Sequence, residues 1–254
     1  MKKAIITGIY GQDGTYLAKY LLKKKIKVYG IYSKKNKNLL YLNIEKKINL
    51  IRCDISNLKK ISLIIKKIKP DFIFNFAGIS SINKSYKDPI QNDKINNIAL
   101  LNILESIKKF SKKSKLFQAS SSELFSENKS KKINENSSFN PNSPYAIAKL
   151  SAHHYCGLYR STYKIYAVSG ILFNHESPLR NEKYVTSKII RGLINIKNNK
   201  IKKIQIGNIN IKRDWGYSKD YVKYMWKSLQ LEKPQDFVIG TGKVHSVKDF
   251  LKIA

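Results

Sequence analysis

The chain contains little cysteine and little histidine, and these two shortages argue against two kinds of scaffold. Its 254 residues include only two cysteines, Cys53 and Cys156, which are too few for a disulfide framework. We therefore expect reduced thiols and a cytoplasmic protein. His153, His154 and His245 are not spaced with other ligand residues as metal sites require, so we expect no metal.

Long apolar runs are also missing. No stretch approaches the roughly 18 consecutive apolar residues of a membrane span, and the N-terminus has neither the apolar core nor the cleavage site of a signal peptide. The chain is nevertheless 42% hydrophobic, which is enough for a substantial core. These features predict a globular protein with no membrane partner.

Acidic residues are scarce beside basic ones, with 17 Asp and Glu against 49 Lys and Arg and a net charge of +32. Such a charge is typical of proteins that bind nucleic acid or an anionic membrane. The lysines are spread along the whole chain beside abundant Asn and Ile, which favours codon bias over a dedicated nucleic-acid surface. We expect no specific nucleic-acid partner, but a charge that attracts an anionic nucleotide.

Apolar runs of strand length alternate with helical patterns as far as residue 174. Strands are predicted over 3–7, 27–32, 49–54, 71–77, 116–120 and 165–172, and helices over 15–25, 58–69, 94–110 and 145–163. This alternation predicts an α/β fold built on a Rossmann-type, doubly wound parallel sheet.

The alternation becomes less regular after Asn174, where His175 to Asn181 is predicted to be a loop. We assign residues 1–173 to a cofactor-binding domain and residues 174–254 to a partial substrate-binding region. The chain stops within an apolar helical pattern that Ser246 would cap, so we expect a small, incomplete C-terminal lobe from a truncated or partial sequence. A polar connection rich in Asn and Ser is expected over 127–143.

A glycine-rich turn, Gly8-Ile-Tyr-Gly11-Gln-Asp-Gly14, follows the first predicted strand and opens the first helix. Glycines allow the backbone to approach a pyrophosphate, and the start of a helix supplies N–H donors and a positive dipole. The turn therefore predicts a dinucleotide cofactor, with an ordinary turn as the alternative. The residues expected to bind it are Gly8, Ile9, Tyr10, Gly11, Gln12 and Asp13.

The end of the second predicted strand bears on which cofactor binds. An NAD site has an acid there for the ribose hydroxyls, whereas this chain has Ser33-Lys34-Lys35. Lys34 and Lys35 would suit the 2′-phosphate of NADP, so we expect NADP, although frequent lysine makes chance placement the alternative. Asp54 and Ile55, after the third strand, are expected to meet the adenine.

Tyr145 and Lys149 lie four residues apart on a predicted helix, so their side chains share a face. A free tyrosine has a pKa of about 10, too high for a base at neutral pH. A neighbouring ammonium and a positive nicotinamide would both favour the phenolate, which could then take the proton of a sugar hydroxyl. The alternative is a surface Tyr and a surface Lys at chance spacing.

Ser121 and Glu123 follow the fifth predicted strand, at the edge where ligands approach a doubly wound sheet. Ser121 could hydrogen-bond a sugar hydroxyl, and Glu123 could remove a carbon-bound proton. By residue type alone, the favoured alternative is a helix N-cap with an acid in the first turn.

The glycine turn, the Tyr145-x-x-x-Lys149 pair and the strand order resemble the extended short-chain dehydrogenase/reductase family. Four blocks, over 6–14, 170–178, 212–222 and 238–247, resemble its GDP-mannose 4,6-dehydratase branch in particular. Asn174-His-Glu-Ser-Pro178 and Arg213-Asp-Trp-Gly216 are the most specific parts. The resemblance covers essentially the whole chain.

The resemblance implies catalytic roles for Ser121, where the family has threonine, and for Glu123 and Tyr145, with Lys149 behind them. It implies further cofactor contacts from Phe76, Ala77, Gly78, Ser80, Lys149, His175 and Arg180, and GDP-sugar contacts from Asn174, Val185, Lys188 and Arg213.

The reaction implied is NADP-dependent dehydration of GDP-mannose to GDP-4-dehydro-6-deoxy-mannose in a homo-oligomer, a dimer or tetramer. The hydride passes internally from C4 to C6. The alternatives are a related sugar-nucleotide epimerase or reductase, and an inactive nucleotide-binding relative.

Overall fold

The computed structural model describes residues 1–126 and 132–254. Its strands are β1 (Lys3–Thr7), β2 (Lys27–Tyr32), β3 (Asn49–Arg52), β4 (Phe72–Asn75), β5 (Lys115–Ala119), β6 (Ala167–Leu172), β7 (Asn174–Glu176), β8 (Lys212–Tyr217), β9 (Phe237–Ile239) and β10 (Val244–Ser246). Its α-helices are α1 (Gln12–Lys23), α2 (Asn38–Tyr41), α3 (Leu58–Ile68), α4 (Ile82–Lys87), α5 (Pro89–Asp93), α6 (Ala99–Phe110), α7 (Pro144–Tyr163), α8 (Val185–Lys197), α9 (Ser218–Ser228) and α10 (Val247–Ile253). Short 3-10 turns lie at Glu45–Lys47 and Ser122–Phe125, and a π-helical turn at Lys94–Ile98.

Seven parallel strands form the central sheet in the order β3-β2-β1-β4-β5-β6-β9. The chain builds outward from β1 in one direction and then in the other, which is the doubly wound arrangement. Every residue of β4 and β6 is buried, as expected for a parallel sheet covered on both faces. The predicted α/β class and Rossmann-type sheet are confirmed.

Two apolar layers hold the helices on the sheet. On one face, Leu17 and Leu21 of α1 pack with Met225 of α9. On the other face, the layer joins α3, α6 and α7 through residues such as Ile65 and Ile103. Each such side chain is buried completely, and burial of one contributes roughly 1.5–3 kcal/mol. The sheet is therefore held rigidly from both sides beneath its carboxyl edge.

All six predicted strands are found, with ends that shift by two residues or fewer. Helix α1 begins at Gln12 instead of residue 15, because the amide of Thr15 already donates to the carbonyl of Gly11 at 2.9 Å. The single helix predicted over 94–110 is wrong in its first turn, where Lys94–Ile98 is π-helical. Of the predicted polar connection over 127–143, residues 127–131 lie outside the described residues.

The region after residue 174 is more regular than the sequence suggested. His175 lies in β7, so the loop predicted from that residue is wrong at its start. The strands β10, β8 and β7 form a second sheet in that order. Helices α8 and α9, not predicted, also belong to this region. Helix α10 follows Ser246, as the apolar spacing predicted. The side chains of Ser246 and Asp249 form a reciprocal capping box at its start.

The two regions assigned from the sequence are interleaved in space. Strand β9 completes the central sheet beside β6, and α9 packs on α1. The division at residue 173 remains a prediction. None of the helices within 1–126 and 132–254 is long and apolar enough to cross a bilayer.

Candidate active site

A cleft of about 1060 Å³ opens at the carboxyl ends of the parallel strands. The first residues after β1, β4, β5 and β6 all line it: Gly8, Phe76, Ser120 and Phe173. The strand order reverses between β1 and β4, and ligands of doubly wound sheets bind at such a switch point.

The glycine turn forms one wall of the cleft and leaves no space for side chains. Gly8 has a φ of +65°, and a Cβ added to it would lie 2.8 Å from the amide nitrogen of Ala77. A Cβ on Gly14 would lie 2.5 Å from the carbonyl oxygen of Gly8. Gly11 is the N-cap of α1 and supplies no side-chain cap, so first-turn N–H groups remain available to an anion.

Most of the predicted cofactor residues line this cleft. They are Gly8, Gly11, Gln12, Asp13, Lys34, Asp54, Ile55, Phe76, Ala77, Gly78, Ser80, Lys149, His175 and Arg180.

Three predicted cofactor residues do not line the cleft. Ile9 is fully buried beneath Gly30, and the Tyr10 hydroxyl donates to the carboxylate of Glu45. The ammonium of Lys35 lies 5.5 Å from the centre of the Tyr32 ring. The side chains of Ile9 and Tyr10 are thus committed to packing, and contact from them would come through the backbone. Their cofactor contacts remain predictions.

Ser121, Glu123, Tyr145 and Lys149 all line the cleft, although they come from two separate parts of the chain. Ser121 and Glu123 follow β5. Tyr145 is fixed at the start of α7, where Ser143 accepts a hydrogen bond of 3.1 Å from the amide of Ala146. The tertiary fold therefore brings the four predicted catalytic side chains to one surface.

Ser121 forms the cap expected from its residue type and also lies beside Tyr145. Its hydroxyl accepts a hydrogen bond from the amide of Glu123 at 3.2 Å and so caps the 3-10 turn. The same hydroxyl acts on Tyr145, where it lowers the pKa of the phenol. The Glu123 carboxylate in turn accepts from the hydroxyl of Ser126 at 2.9 Å. A cap thus positions a serine and a carboxylate at the cleft.

The predicted phenolate is not favoured by the protein alone. Burial raises the pKa of Tyr145 to about 12, with Ser121 and Arg180 lowering it and Glu123 raising it. Burial also lowers the pKa of Lys149 to about 8. The Lys149 ammonium lies 5.8 Å from the centre of the Tyr145 ring and donates to the carbonyl of Ala119 at 3.0 Å. Desolvation is thus the largest influence on the pKa of Tyr145, and the lowering expected from the Lys149 ammonium and a positive nicotinamide remains a prediction.

His175 joins the glycine turn to the segment after β6. Its Nδ1 lies 2.7 Å from the carbonyl oxygen of Phe173, and its Nε2 lies 3.0 Å from both oxygens of Asp13. Burial acts to lower the pKa of His175, but Asp13 and the Phe173 carbonyl outweigh it and raise the pKa. The Gln12 side chain adds a hydrogen bond of 2.8 Å to the His175 carbonyl.

Three of the four predicted substrate residues, Asn174, Val185 and Arg213, line the cleft, and Lys188 does not. Lys188 is exposed on α8, and its proposed contact remains a prediction. Arg180 lies over the ring of Tyr184, with its guanidinium carbon 3.6 Å from the ring centre.

Sequence reasoning missed several residues of the cleft, including Ser120, Asn96 and Tyr184. Ser120 and Asn96 are buried, and the Ser120 hydroxyl and the Asn96 Oδ1 have no hydrogen-bond partner among the described residues. Ser120 could have been suspected because it stands directly before Ser121. Nothing in the sequence distinguishes Asn96, which reaches the cleft through the π-helical turn.

Solved structures with the same fold include a sugar-nucleotide epimerase and a sugar-nucleotide dehydratase. The UDP-N-acetylglucosamine 4-epimerase of Methanobrevibacter ruminantium, solved with UDP-N-acetylmuramic acid, matches 99% of this chain and 80% of its own, with a TM-score of 0.88 and 25% identity. The dTDP-glucose 4,6-dehydratase of Bacillus anthracis, solved with NAD, matches 99% and 79%, with a TM-score of 0.86 and 21% identity. The fold is the Rossmann-type fold of the short-chain dehydrogenase/reductase class.

Sequence comparison defines the family more narrowly. The family described as GDP-mannose 4,6 dehydratase matches residues 5–254. The GDP-mannose 4,6-dehydratase of Vibrio cholerae serotype O1 is 40% identical over 100% of this chain and 71% of its own length. The enzymes of Dictyostelium discoideum and Homo sapiens are 39% and 38% identical, covering 99% and 98% of this chain and 74% and 70% of theirs. The chain belongs to the GDP-mannose 4,6-dehydratase family, whose members are hydro-lyases.

Proposed function

We propose that this chain converts GDP-mannose to GDP-4-dehydro-6-deoxy-D-mannose and water in an NADP-dependent reaction. The observation that carries the proposal is the convergence of Ser121, Glu123, Tyr145 and Lys149 on the cleft that also holds the glycine turn. Membership of the GDP-mannose 4,6-dehydratase family supports the substrate.

The cleft fits a dinucleotide in two ways. The absence of side chains at Gly8 and Gly14 lets the turn pack closely on Ala77 and on itself, and the first turn of α1, which has no side-chain cap, leaves N–H donors for a pyrophosphate. Asp54 and Ile55 line the far end of the cleft, beside Lys34, where the adenosine half would lie. When bound, NADP would supply the acceptor and then the donor for a hydride that leaves C4 of the sugar and returns to C6.

Each catalytic side chain has a distinct role in this proposal. Tyr145 takes the proton of the C4 hydroxyl, and Ser121 hydrogen-bonds that hydroxyl. Burial raises the pKa of Tyr145, and the positive charge of a bound nicotinamide would act to lower it. Glu123 removes the C5 proton, which the C4 ketone makes acidic, and passes it to the C6 hydroxyl, which leaves as water. The proton held by Tyr145 is then available for C5 when the hydride returns to C6.

The nucleotide end of the substrate would be held by the C-terminal part of the cleft. Arg213 lines it, and a planar guanidinium with several donors suits a diphosphate. Asn174 and Val185 line the same part, and Lys188 completes the proposed set.

An epimerase is the competing function, because solved epimerases share the fold. Epimerisation at C4 requires a proton acceptor at the C4 hydroxyl but no base at C5. The carboxylate of Glu123, in the same cleft as Tyr145, favours dehydration.

The decisive experiment is incubation of the protein with GDP-mannose and NADP, followed by mass analysis of the nucleotide sugar. A product lighter by one water supports dehydration. A product of unchanged mass with an altered sugar would favour epimerisation, and unchanged GDP-mannose would contradict both activities.

We further propose a cytoplasmic homo-oligomer, a dimer or a tetramer. Ile147 and Leu158 are 58% and 50% exposed on α7, and their separation of about three turns places them on one helix face. An exposed apolar face of this kind favours association. Light scattering after size exclusion measures the mass directly, and a monomer at micromolar concentration would contradict the proposal.

A further inference from the structure

A second, smaller cavity of about 470 Å³ adjoins the cleft at the ends of β2 and β3. It is lined by Ser33, Arg52, Cys53, Asp54 and Lys60. Ser33, Cys53 and Asp54 line the main cleft as well, so the two cavities share a wall. Neither Arg52 nor Lys60 was predicted from the sequence to belong to a site.

Arg52 is placed by the pairing of the two strands. It is the last residue of β3, in register with Tyr32, the last residue of β2. The amide of Cys53 continues this pairing with a hydrogen bond of 2.9 Å to the carbonyl of Tyr32. Ser33 and Lys34, which directly follow β2, therefore lie beside Arg52.

Lys60 enters from α3. It lies in the first turn of that helix, where its amide donates to the Asn57 side chain at 3.0 Å. Burial and Asp54 raise the pKa of the Cys53 thiol, and the Lys60 ammonium opposes them, as expected for a charge close to the thiol. Three cations on three different segments, Lys34, Arg52 and Lys60, thus surround the shared wall.

The balance of charge at this wall is positive. None of the ion pairs found among the described residues involves Lys34, Arg52 or Lys60. Asp54 is the one acid lining both cavities within the described part of the chain, and its Oδ1 accepts from the amide and hydroxyl of Ser56 at 2.9 and 2.8 Å. A phosphate of charge about −2 would find unpaired donors here.

Resting on the proposed function, we propose that Arg52 and Lys60, together with Lys34, bind the 2′-phosphate of NADP and set the preference for NADP over NAD. The planar guanidinium of Arg52 can bind a phosphate through two parallel hydrogen bonds, and Lys60 adds a point charge near the positive end of α3. Lys34 and Lys35 were the cations predicted from the sequence, and this proposal moves the main role to residues outside that motif.

The test compares ligands that differ only in the 2′-phosphate. Dissociation constants of NADP and NAD, and of adenosine 2′,5′-bisphosphate and AMP, are measured by calorimetry for the unmodified protein, Arg52→Gln and Lys60→Gln. Lys59→Gln is the matched control, because Lys59 is exposed on the same helical turn and lines neither cavity.

Each of the two variants should bind NADP and the bisphosphate roughly tenfold or more weakly, with changes below about twofold for NAD and AMP, as expected for loss of a charge-assisted hydrogen bond. Lys59→Gln should change neither. Equal binding of NADP and NAD by the unmodified protein, or equal losses for both cofactors in the variants, would overturn the inference. Circular dichroism on every variant confirms that a loss of affinity is not a loss of fold.

The calorimetry tests the 2′-phosphate site and the product analysis tests the proposed function, so one claim can be contradicted while the other is supported. Dinucleotide discrimination by Arg52 and Lys60 without conversion of GDP-mannose would support this site and contradict the proposed function. Conversion of GDP-mannose without any discrimination would support the proposed function and overturn this site.

Discussion

The Nε2 atom of His175 lies 3.0 Å from both carboxylate oxygens of Asp13, although 162 positions separate the two residues. The Nδ1 atom faces the carbonyl oxygen of Phe173, which can only accept a hydrogen bond. Both ring nitrogens therefore have acceptors opposite them, and the arrangement favours the doubly protonated ring. This pair fastens the glycine turn to the strand that begins the C-terminal region.

The first prediction concerns the pH dependence of this pair. Because the pKa of His175 is raised, its ion pair with Asp13 stabilises the fold at low pH. This stabilisation is lost as the pH rises through the pKa of His175 in the folded protein. Asp13→Asn should therefore lower the free energy of unfolding more at about pH 6 than at about pH 8.5. Urea denaturation at both pH values measures the difference.

A matched control for this prediction is Asp220→Asn. Asp220 pairs with Lys223 at 2.8 Å on the exposed surface of α9, with no histidine in the pair. Its effect should be small and equal at the two pH values. An Asp13→Asn effect that does not change with pH would contradict the protonated His175.

The second prediction concerns the proposed base at C5. Glu123→Gln keeps the shape of the side chain and removes the carboxylate, so dehydration should fall by roughly 10²–10⁴-fold while GDP-mannose binding stays within about twofold. In heavy water, deuterium should enter C5 of the product only with the unmodified protein. Glu232→Gln, at an exposed position, is the control. Ordinary turnover by Glu123→Gln would assign the base elsewhere.

The third prediction concerns the buried ammonium of Lys149. Burial lowers its pKa from 10.5 to about 8, so the buried charge of Lys149 lowers the free energy of unfolding at neutral pH. This destabilisation disappears as the pH rises and the side chain loses its proton in both states. Lys149→Met should therefore be more stable than the unmodified protein at about pH 7, by up to ~3 kcal/mol, and the advantage should shrink toward about pH 10.

Denaturation across this pH range measures the Lys149→Met effect, and activity should be lost at every pH. Lys164→Met, at an exposed position just after α7, is the control and should show no such trend. An advantage for Lys149→Met that grows with pH would be the opposite of the expected sign.

The fourth prediction concerns the backbone of the glycine turn. Gly8→Ala places a Cβ 2.8 Å from the amide nitrogen of Ala77 in a left-handed conformation, so it should cost about 2 kcal/mol or more and abolish dinucleotide binding. Gly157→Ala is the matched control, because nothing lies within 4 Å of its added Cβ in α7. That change should raise stability by about 0.5–1 kcal/mol. Thermal denaturation and NADP titration measure both variants, and unchanged NADP affinity in Gly8→Ala would contradict the role of the turn.

Much of the fold could be predicted because the strands of a parallel sheet are nearly continuous apolar runs. The strand Ala167–Leu172 is an example, since all six of its residues are buried. Strand β9, Phe237–Ile239, could not be placed in the same way. It has only three residues, each partly exposed, and its partner β6 is about seventy positions earlier in the chain.

In the candidate site, too, features set by local spacing could be predicted and features set by the tertiary fold could not. Tyr145 and Lys149 were found because their spacing on one helix is a local property. Arg52 and Lys60 were not, because each is one basic residue among 49 and only the register of β2 with β3 and the entry of α3 distinguish them. The large effect of burial on the pKa of Tyr145 was not foreseen, because burial depends on what surrounds the ring.

The sequence by itself determined the six strands and the four longer helices in the first two thirds of the chain, where the backbone must turn through glycine, and which side chains could carry the chemistry. These properties depend on neighbours a few positions apart. Only the tertiary structure decided that Asp13 meets His175, that Ser121 serves both as a cap and as a neighbour of Tyr145, and which lysines face a cavity. Those outcomes depend on long-range packing and on the exclusion of water, which residue types in sequence do not specify.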